Sequence, residues 1–142
     1  MRMTVSTAYF AVINFHLNQV KENKLNIPEL KDGEVYAGAI IKPDGKTIHT
    51  ILLPGDEKKN WKDGMEWAKS IGGDLPDRAE QALFYKYMPE EFQKEAYWSN
   101  TQHAGNSNYA WYQLFYYGFQ LSNYKSADLR VRAVRRVGLK GD

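Results

Sequence analysis

The sequence predicts an α+β fold with a short antiparallel sheet, two helices and long loops, preceded by an N-terminal helix. Residues 60–87 have the 3.6-residue periodicity of two helices, broken by a glycine–proline corner. Segments rich in β-branched and aromatic residues flank this stretch and are separated by turn sequences, which is typical of strands. Of the 142 residues, 43% are hydrophobic and 14% are aromatic, which is enough to build the core of one domain.

The N-terminal segment has two candidate conformations. Ser6 suits the N-cap of a helix over 7–23, whose apolar residues fall on two opposite sides. A strand over 4–15 is the alternative, because β-branched and aromatic residues are frequent there. A helix that is apolar on two sides needs burial on both, so we expect residues 1–24 to mediate homo-oligomerisation. The segment lacks a strongly basic region and a small-residue cleavage site, so we expect no signal peptide.

A connector with a proline and an Asp-Gly turn separates this segment from the domain. We therefore divide the chain into an N-terminal segment, residues 1–30, and a domain, residues 31–142. The domain opens with two predicted strands, over 35–41 and 47–53. The sequence Pro-Asp-Gly-Lys lies between them at 43–46, and this is turn chemistry, so we expect the two strands to form a hairpin.

Two helices follow, each with a polar cap. Asn60 suits the N-cap of the first helix, and Gly72 and Gly73 end it, since glycine readily adopts the left-handed conformation at a helix C-terminus. Asp77 opens the second helix, with Glu80 three residues later as its capping-box partner. The apolar stripes expected to face the core are Trp61, Met65, Ala68 and Ile71 in the first helix, and Ala79, Leu83 and Tyr87 in the second.

After the second helix the chain returns to extended structure. A proline begins a short helical turn at 89–92. The strands predicted from aromatic and β-branched content are 97–100, 109–115, 119–121 and 129–137, with polar loops at 102–108 and 122–128.

Five motifs, in their order and spacing, resemble those of a bacterial and phage family of unknown function. The motifs are GGDLPDRAE, ALFYKY, YWSN, YAWYQLF and RVRAVRR, and the similarity spans residues 35–137. The family includes the C-terminal domain of a collagen-like bacterial adhesin. The early Tyr-Ala-Gly at 36–38 is similar to the variant found in phage and prophage proteins. The resemblance implies a C-type-lectin-like fold and a location in the host cytoplasm or the virion.

The last strand carries an arginine that needs an acceptor. A regular strand places alternate residues of 129–135 on one face, and all of them except Arg135 are apolar, so Arg135 is expected to point inward. The family pattern has an acidic residue at the start of the second helix, so the resemblance implies a structural ion pair between Glu80 and Arg135. Arg130 and Arg132 then lie on the outer face, free for a partner. A bulge would change this register, and Glu80 acting only as a helix cap is the alternative.

Metal-dependent and catalytic chemistry find no motif in this sequence. His16, His49 and His103 lack the spacing of a zinc site. The Glu-Pro-Asn, Gln-Pro-Asp and Trp-Asn-Asp triplets of calcium-dependent lectins are absent, and residues 110–113, at the corresponding strand, carry no carboxylate. The chain has no cysteine and no Gly-x-Ser-x-Gly sequence, which excludes disulfides and the usual thiol and serine nucleophiles. We expect no enzyme activity, no cofactor and no metal ion.

Two features indicate binding. An aromatic cluster between positions 98 and 124 is interleaved with Asn, Gln and Ser, which is the composition of an adaptable binding surface. The C-terminal strand is basic, and together with nearby tyrosines it has the composition of a nucleic-acid surface. The candidate ligand-binding residues are Trp98, His103, Tyr112, Tyr116, Tyr117, Tyr124, Arg130 and Arg132.

The charge balance favours a protein partner over a nucleic acid. The formal net charge is only +2, which is too balanced for a strong electrostatic footprint. We therefore expect a non-catalytic, protein-binding accessory protein of phage or prophage type. The alternatives are a nucleic-acid-associated phage accessory protein and a receptor-binding protein with diversified aromatic loops. No apolar run reaches about 18 residues, so we expect no membrane insertion.

Overall fold

The computed structural model describes residues 26–138, which form two β-sheets with helices packed against them. The strands are β1 (Val35–Ile41), β2 (Thr47–Leu52), β3 (Glu57–Lys59), β4 (Ala96–Gln102), β5 (Tyr109–Leu114), β6 (Gln120–Tyr124), β7 (Leu129–Val131) and β8 (Val134–Gly138). The helices are α1 (Trp61–Ser70) and α2 (Arg78–Tyr87), followed by a 3-10 turn at Pro89–Glu91. The predicted α+β class is confirmed.

The last two described strands, β7 and β8, belong to different sheets. The first sheet has the strand order β1-β2-β8, and the second has the order β3-β7-β4-β5-β6. All neighbouring strands are antiparallel except β4 and β7, which are parallel. The sequence predicts one short antiparallel sheet, whereas the chain forms two sheets, one of them mixed.

The first hairpin forms at its predicted turn sequence. The Lys42 N–H donates to the Lys46 carbonyl and the Gly45 N–H donates to the Lys42 carbonyl, both at 2.8 Å, which closes the turn between β1 and β2. A bulge shifts the pairing register between Tyr36 and Gly38. Strand β1 lies at the edge of its sheet, so no described strand pairs with its outer side.

Both predicted helix caps are present. The Asn60 Oδ1 atom accepts a hydrogen bond from the Asp63 N–H at 2.9 Å. The Asp77 carboxylate accepts from the Glu80 N–H, and the Glu80 carboxylate accepts from the Asp77 N–H, both at 2.8 Å. This reciprocal pair is the predicted capping box of α2. The caps therefore fix where each helix begins.

The apolar stripe predicted for α2 does not face the core. Leu83 and Tyr87 are 40% and 73% exposed, whereas Glu80, Gln81 and Phe84 are buried. Gln81 Nε2 donates to two backbone carbonyls of β4 at 3.1 and 3.2 Å, so its burial satisfies polar groups of the sheet. A count of apolar residues misses this face because two of its three members are polar and hydrogen-bonded.

The core consists of two clusters of buried side chains. One lies under α1, which contributes Ala68, although Ile71 of the same predicted stripe is 41% exposed. Its buried members are Leu53, Ala68, Leu75, Trp98, Ala110, Val131 and Ala133. The other lies under α2, and its buried members are Leu52, Phe84, Phe92, Tyr97, Phe115 and Val134.

The strand predicted over 129–137 is broken into β7 and β8. The backbone between them crosses from the second sheet to the first. The break changes the alternation, so that Val134 and Arg136 share the face toward α2 and Arg135 lies on the other face. The inward register expected for Arg135 is therefore wrong, because two irregular residues separate the two halves.

The ion pair expected between Glu80 and Arg135 is also not formed. Glu80 pairs with Arg136, whose Nη2 and Nε atoms lie 2.6 and 2.9 Å from the two carboxylate oxygens. Arg135 pairs with Glu34 on the opposite side of the sheet, at 2.8 and 2.9 Å. The predicted acid is thus correct, and its partner is the next arginine along the chain.

The expectations for residues 1–24, a helix or a strand and homo-oligomerisation, lie outside the described residues, as does most of the segment assigned to 1–30. Between residues 26 and 138, neither helix has the length and hydrophobicity needed to cross a membrane.

Candidate functional site

The turn between β5 and β6 carries a group of exposed apolar side chains. Tyr116, Tyr117, Phe119 and Leu121 are 54%, 62%, 57% and 51% exposed. We call these four residues the aromatic hairpin. Four large apolar side chains within six positions, each more than half exposed, form the type of patch that marks interaction sites in soluble proteins.

The backbone of the aromatic hairpin is held by its own hydrogen bonds. The Leu114 N–H donates to the Phe119 carbonyl at 2.7 Å, and the Gly118 N–H donates to the Leu114 carbonyl at 2.8 Å. Gly118 has a φ of +86°, and a Cβ atom there would lie 2.5 Å from the Tyr85 ring. The turn therefore requires glycine for its conformation and for its contact with α2.

A buried ring anchors the turn to the core. Phe115 is 5% exposed and stacks on Phe92, with ring centroids 4.1 Å apart and planes at 10°. Its N–H donates to the Glu95 carbonyl at 3.0 Å. Because Phe115 is fixed at the base, its exposed neighbours Tyr116 and Tyr117 project from a rigid support.

The exposed rings also contact one another. Tyr116 and Tyr117 meet edge to face, with centroids 4.2 Å apart, and Tyr117 lies 6.1 Å from Phe119. Leu121 follows on β6, on the same side of the strand as Phe119. These contacts order the rings before any partner arrives, which lowers the entropy lost on binding.

A second aromatic surface lies on the face of β5 and β6 that α2 partly covers. The Arg78 guanidinium lies 3.7 Å from the centre of the Trp111 ring, and the His103 ring stacks on Trp111 at 5.3 Å. Tyr109 and Tyr124 lie 4.4 Å apart, and the hydrogen bond with Tyr124 raises the pKa of Tyr109. Two of the predicted residues, His103 and Tyr124, therefore lie on this face.

Two other predicted ligand-binding residues belong to the core. Trp98 is fully buried, and its Nε1 atom donates to the Lys59 carbonyl at 3.1 Å. Tyr112 packs edge to face on Trp98, with centroids 6.4 Å apart. The prediction that Trp98 contacts a ligand is wrong, because its indole fills the interior between the second sheet and α1.

The arginines predicted to be free for a partner are already paired. Arg130 forms ion pairs with Glu95 and, at 3.0 Å, with Asp56. The hydrogen bond with Arg130 lowers the pKa of the Glu95 carboxyl. Arg132 is 9% exposed, and its guanidinium donates to the backbone carbonyl of Glu91 and lies 3.3 Å from the carboxylate of that residue. Both guanidinium groups are therefore paired within the chain, rather than free for a partner as the sequence predicts.

The four arginines between Leu129 and Gly138 therefore all serve the fold. Arg130 and Arg132 join β7 to the loops around it, and Arg135 and Arg136 join β8 to Glu34 and α2. Arg136 also binds Asp74 at 2.8 Å, and the hydrogen bonds with Glu80 raise its pKa. The positive charges of these four arginines are thus balanced by carboxylates of the same chain.

The chain segment 26–138 contains no group of three or more His, Asp or Glu side chains that could hold a metal ion. The surface of the aromatic hairpin is built from rings and one aliphatic side chain, and its chemistry is that of apolar contact with hydroxyl groups at the rim.

Of the four residues of the aromatic hairpin, Tyr116 and Tyr117 are candidate ligand-binding residues from the sequence, whereas Phe119 and Leu121 are not. Alternation predicts that apolar residues of a strand point to the core, so Leu121 carries no signal of exposure. Leu121 is exposed because β6 lies at the edge of the second sheet, and that position depends on the whole topology.

No protein-family model matches the sequence, and no curated protein matches it either.

Proposed function

We propose that this chain is a non-catalytic protein-binding module that uses the aromatic hairpin as its contact surface. The main support for this proposal is an anchored turn with exposed apolar side chains. The turn is fixed by the buried Phe115, and the exposed residues are Tyr116, Tyr117, Phe119 and Leu121. Tyrosine is enriched among the residues that dominate binding energy at protein interfaces, because it supplies a large area at a small cost in rotamer entropy.

The state of the arginines supports a protein partner over a nucleic acid. Sequence-independent binding to phosphates requires basic side chains that are free to replace counterions. Arg130, Arg132, Arg135 and Arg136 are each paired with a carboxylate of the same chain, so binding phosphate would require breaking those pairs.

The proposal includes a C-type-lectin-like fold and an accessory role in a phage or prophage, in the virion or the host cytoplasm. The sequence motifs at residues 72–80 and 109–115 support the first part, and the α+β architecture is consistent with it. The second part rests on the family resemblance alone.

The test is affinity capture from a bacterial lysate, with quantification of every retained protein. The variant is the double substitution Tyr117→Ser and Phe119→Ser, which removes two rings of the hairpin. The matched control is Tyr87→Ser, because Tyr87 is 73% exposed and lies outside the hairpin. We expect a specific protein to be retained by the wild type and the control and lost, at least about tenfold, from the double variant. Equal retention by all three chains would overturn the proposal.

A second measurement tests the alternative that the chain binds nucleic acid. Fluorescence anisotropy with labelled single- and double-stranded oligonucleotides, at about 50 and 200 mM salt, reports phosphate-driven binding because its affinity falls steeply with salt. We expect no saturable binding at either concentration. Binding that weakens steeply with salt would identify the chain as a nucleic-acid-associated protein instead.

A further inference from the structure

A groove separates the edge strand β1 from α2, away from the aromatic hairpin. It encloses about 210 Å³, and its walls are formed by Gly38, Ile40, Thr50, Leu83 and Tyr87 together with the β1 backbone. Ile40, Leu83 and Tyr87 are 40%, 40% and 73% exposed. An apolar groove beside a strand edge that no strand of the described residues covers has the features of a site where another strand adds to the sheet.

Within residues 26–138, strand β1 carries neither the charged residues nor the proline that usually protect a sheet edge, and its one irregularity is the bulge between Tyr36 and Gly38. Four strands lie at the edges of the two sheets in the part of the chain that the structure describes. Besides β1, strands β8 and β3 carry charged residues and β6 carries mainly polar ones. The sequence of β1 is VYAGAII, with no charge and no proline. Exposed uncharged edges pair readily with other strands, and natural proteins normally block them with lysine or proline.

We propose that β1 pairs with β1 of a second copy of this chain, antiparallel and centred on Ala39. In this arrangement Ile40 of each copy lies directly opposite Gly38 of the other. Gly38 and Ile40 face α2, because their partners Thr50 and Ile48 lie on the face where Thr50 binds Glu80.

The two positions are complementary in shape. A Cβ atom placed on Gly38 meets nothing within 4 Å, so there is space above it. Ile40 of the second copy enters that space and contacts the apolar wall formed by Leu83 and Tyr87. Since both copies offer the same hole and the same projecting side chain, the interface is self-complementary, as two-fold symmetry requires.

Charge and area decide what kind of dimer this is. Antiparallel pairing of a charged edge with itself brings like charges together, and β1 carries none between Val35 and Ile41. The exposed apolar side chains supply roughly a few hundred Å² per copy, below the 800 Å² or so of a typical stable interface. The dimer is therefore weak and concentration-dependent.

The absence of cysteine from the chain permits a direct test of the register. Ala39→Cys places one thiol at the two-fold axis, where the two Cα atoms of an antiparallel pair are within disulfide range. We expect mild oxidation of the full-length chain to yield a covalent dimer. The matched control is Ser122→Cys on β6, the other uncharged edge, which should stay largely monomeric. Failure of Ala39→Cys to cross-link above the control would overturn the proposal.

Light scattering on the full chain tests the same interface without cross-linking. We expect the wild-type mass to rise toward that of two copies between roughly 5 and 500 µM, because small interfaces are weak. Ile40→Lys should stay monomeric over this range, and Leu121→Lys, an equivalent change on β6, should behave as the wild type. Circular dichroism checks that each variant is folded, and if Ile40→Lys is not, the cross-linking decides alone.

The light-scattering results distinguish pairing through β1 from association of two copies through another surface. A wild type that is monomeric throughout, or an Ile40→Lys chain that still associates, overturns the pairing of β1. Loss of association only in Leu121→Lys would place the contact between copies at the aromatic hairpin. None of these results depends on whether the hairpin binds another protein.

Discussion

Glu80 receives hydrogen bonds from three elements, which explains how a carboxylate with 3% exposure is tolerated beside the core. Its two oxygens accept from the Asp77 N–H at 2.8 Å, from the Thr50 hydroxyl at 3.1 Å and from two nitrogens of the Arg136 guanidinium. The residue therefore caps α2 and joins it to β2 and β8 at the same time.

We predict strong coupling between Glu80 and Arg136. Glu80→Gln leaves the guanidinium partly unpaired in a confined site, so unfolding should become easier by about 2–3 kcal/mol. In a double-mutant cycle with Arg136→Met, measured by urea denaturation, the coupling energy should exceed about 1 kcal/mol. The control cycle pairs Glu80→Gln with Arg135→Met and should be additive within about 0.5 kcal/mol, because Arg135 binds Glu34. Coupling in the control cycle alone would contradict the observed pairing.

Glu34 gives the stability of the fold an acid dependence. Its bond to Arg135, assisted by the Lys31 N–H, lowers the pKa of the Glu34 carboxyl from a usual value of 4.5 to about 2. A carboxyl with a lower pKa in the folded state is protonated first in the unfolded chain. The stabilisation is therefore complete above about pH 4.5 and is lost as the pH falls toward 2.

The matching variant is Glu34→Gln. At pH 7 it should be less stable than the wild type by on the order of 1 kcal/mol, since Arg135, the partner of Glu34, stays partly exposed to solvent. The difference in urea midpoint between the two chains should shrink between pH 4.5 and about 2.5, as the wild type loses its charge. Glu66→Gln, on the exposed side of α1, is the control and should show no such narrowing. A constant difference for Glu34→Gln across this range would mean that the ion pair does not set the acid dependence.

At the scale of elements, the sequence predicts the parts that local chemistry controls. The Pro-Asp-Gly-Lys turn and the caps at Asn60 and Asp77 act within a few residues, and all of them are found in the structure. The break between β7 and β8 arises because the two halves of this stretch pair in different sheets. A local sequence pattern does not contain that information. The exposure of Leu83 likewise depends on where α2 is placed, and so does that of Leu121 on β6.

The loop between α1 and α2 joins β8 at a close approach. The Asp74 N–H and carbonyl exchange hydrogen bonds with Val134, both at 2.8 Å. A Cβ atom on the preceding Gly73 would lie 2.4 Å from the Val134 carbonyl oxygen and 2.8 Å from Leu53. Backbone approaches of this kind leave room only for glycine.

We therefore predict that Gly73→Ala destabilises the fold by about 2 kcal/mol or more, because a backbone carbonyl cannot move aside as a flexible side chain does. Thermal unfolding followed by circular dichroism measures this. Gly138→Ala, at the end of the same strand and with open space around it, should change stability by less than about 0.5 kcal/mol. Equal effects of the two substitutions would show that the close approach is relaxed in solution.

At the scale of the molecule, two clusters of buried side chains and a network of internal ion pairs stabilise a chain that has no disulfides. The described residues include no cluster of metal ligands, and the sequence lacks the calcium triplets of lectins. We predict that millimolar calcium or a chelator shifts the melting temperature by less than about 1 °C, since only a ligand of the native state raises it. A rise of several degrees with calcium, reversed by the chelator, would contradict this.

The position of β7 between β3 and β4 makes folding depend on a segment that lies far along the sequence from most of its partners. Strand β3 has β7 as its neighbour in the sheet, and β2 pairs with β8, so residues 129–138 complete both sheets. A nascent chain that has not released these residues from the ribosome exposes unpaired strand edges and open cores. Closure between distant parts of the sequence is slow, typically milliseconds to seconds. A chain cut before Leu129 is thus left as a target for proteases and chaperones.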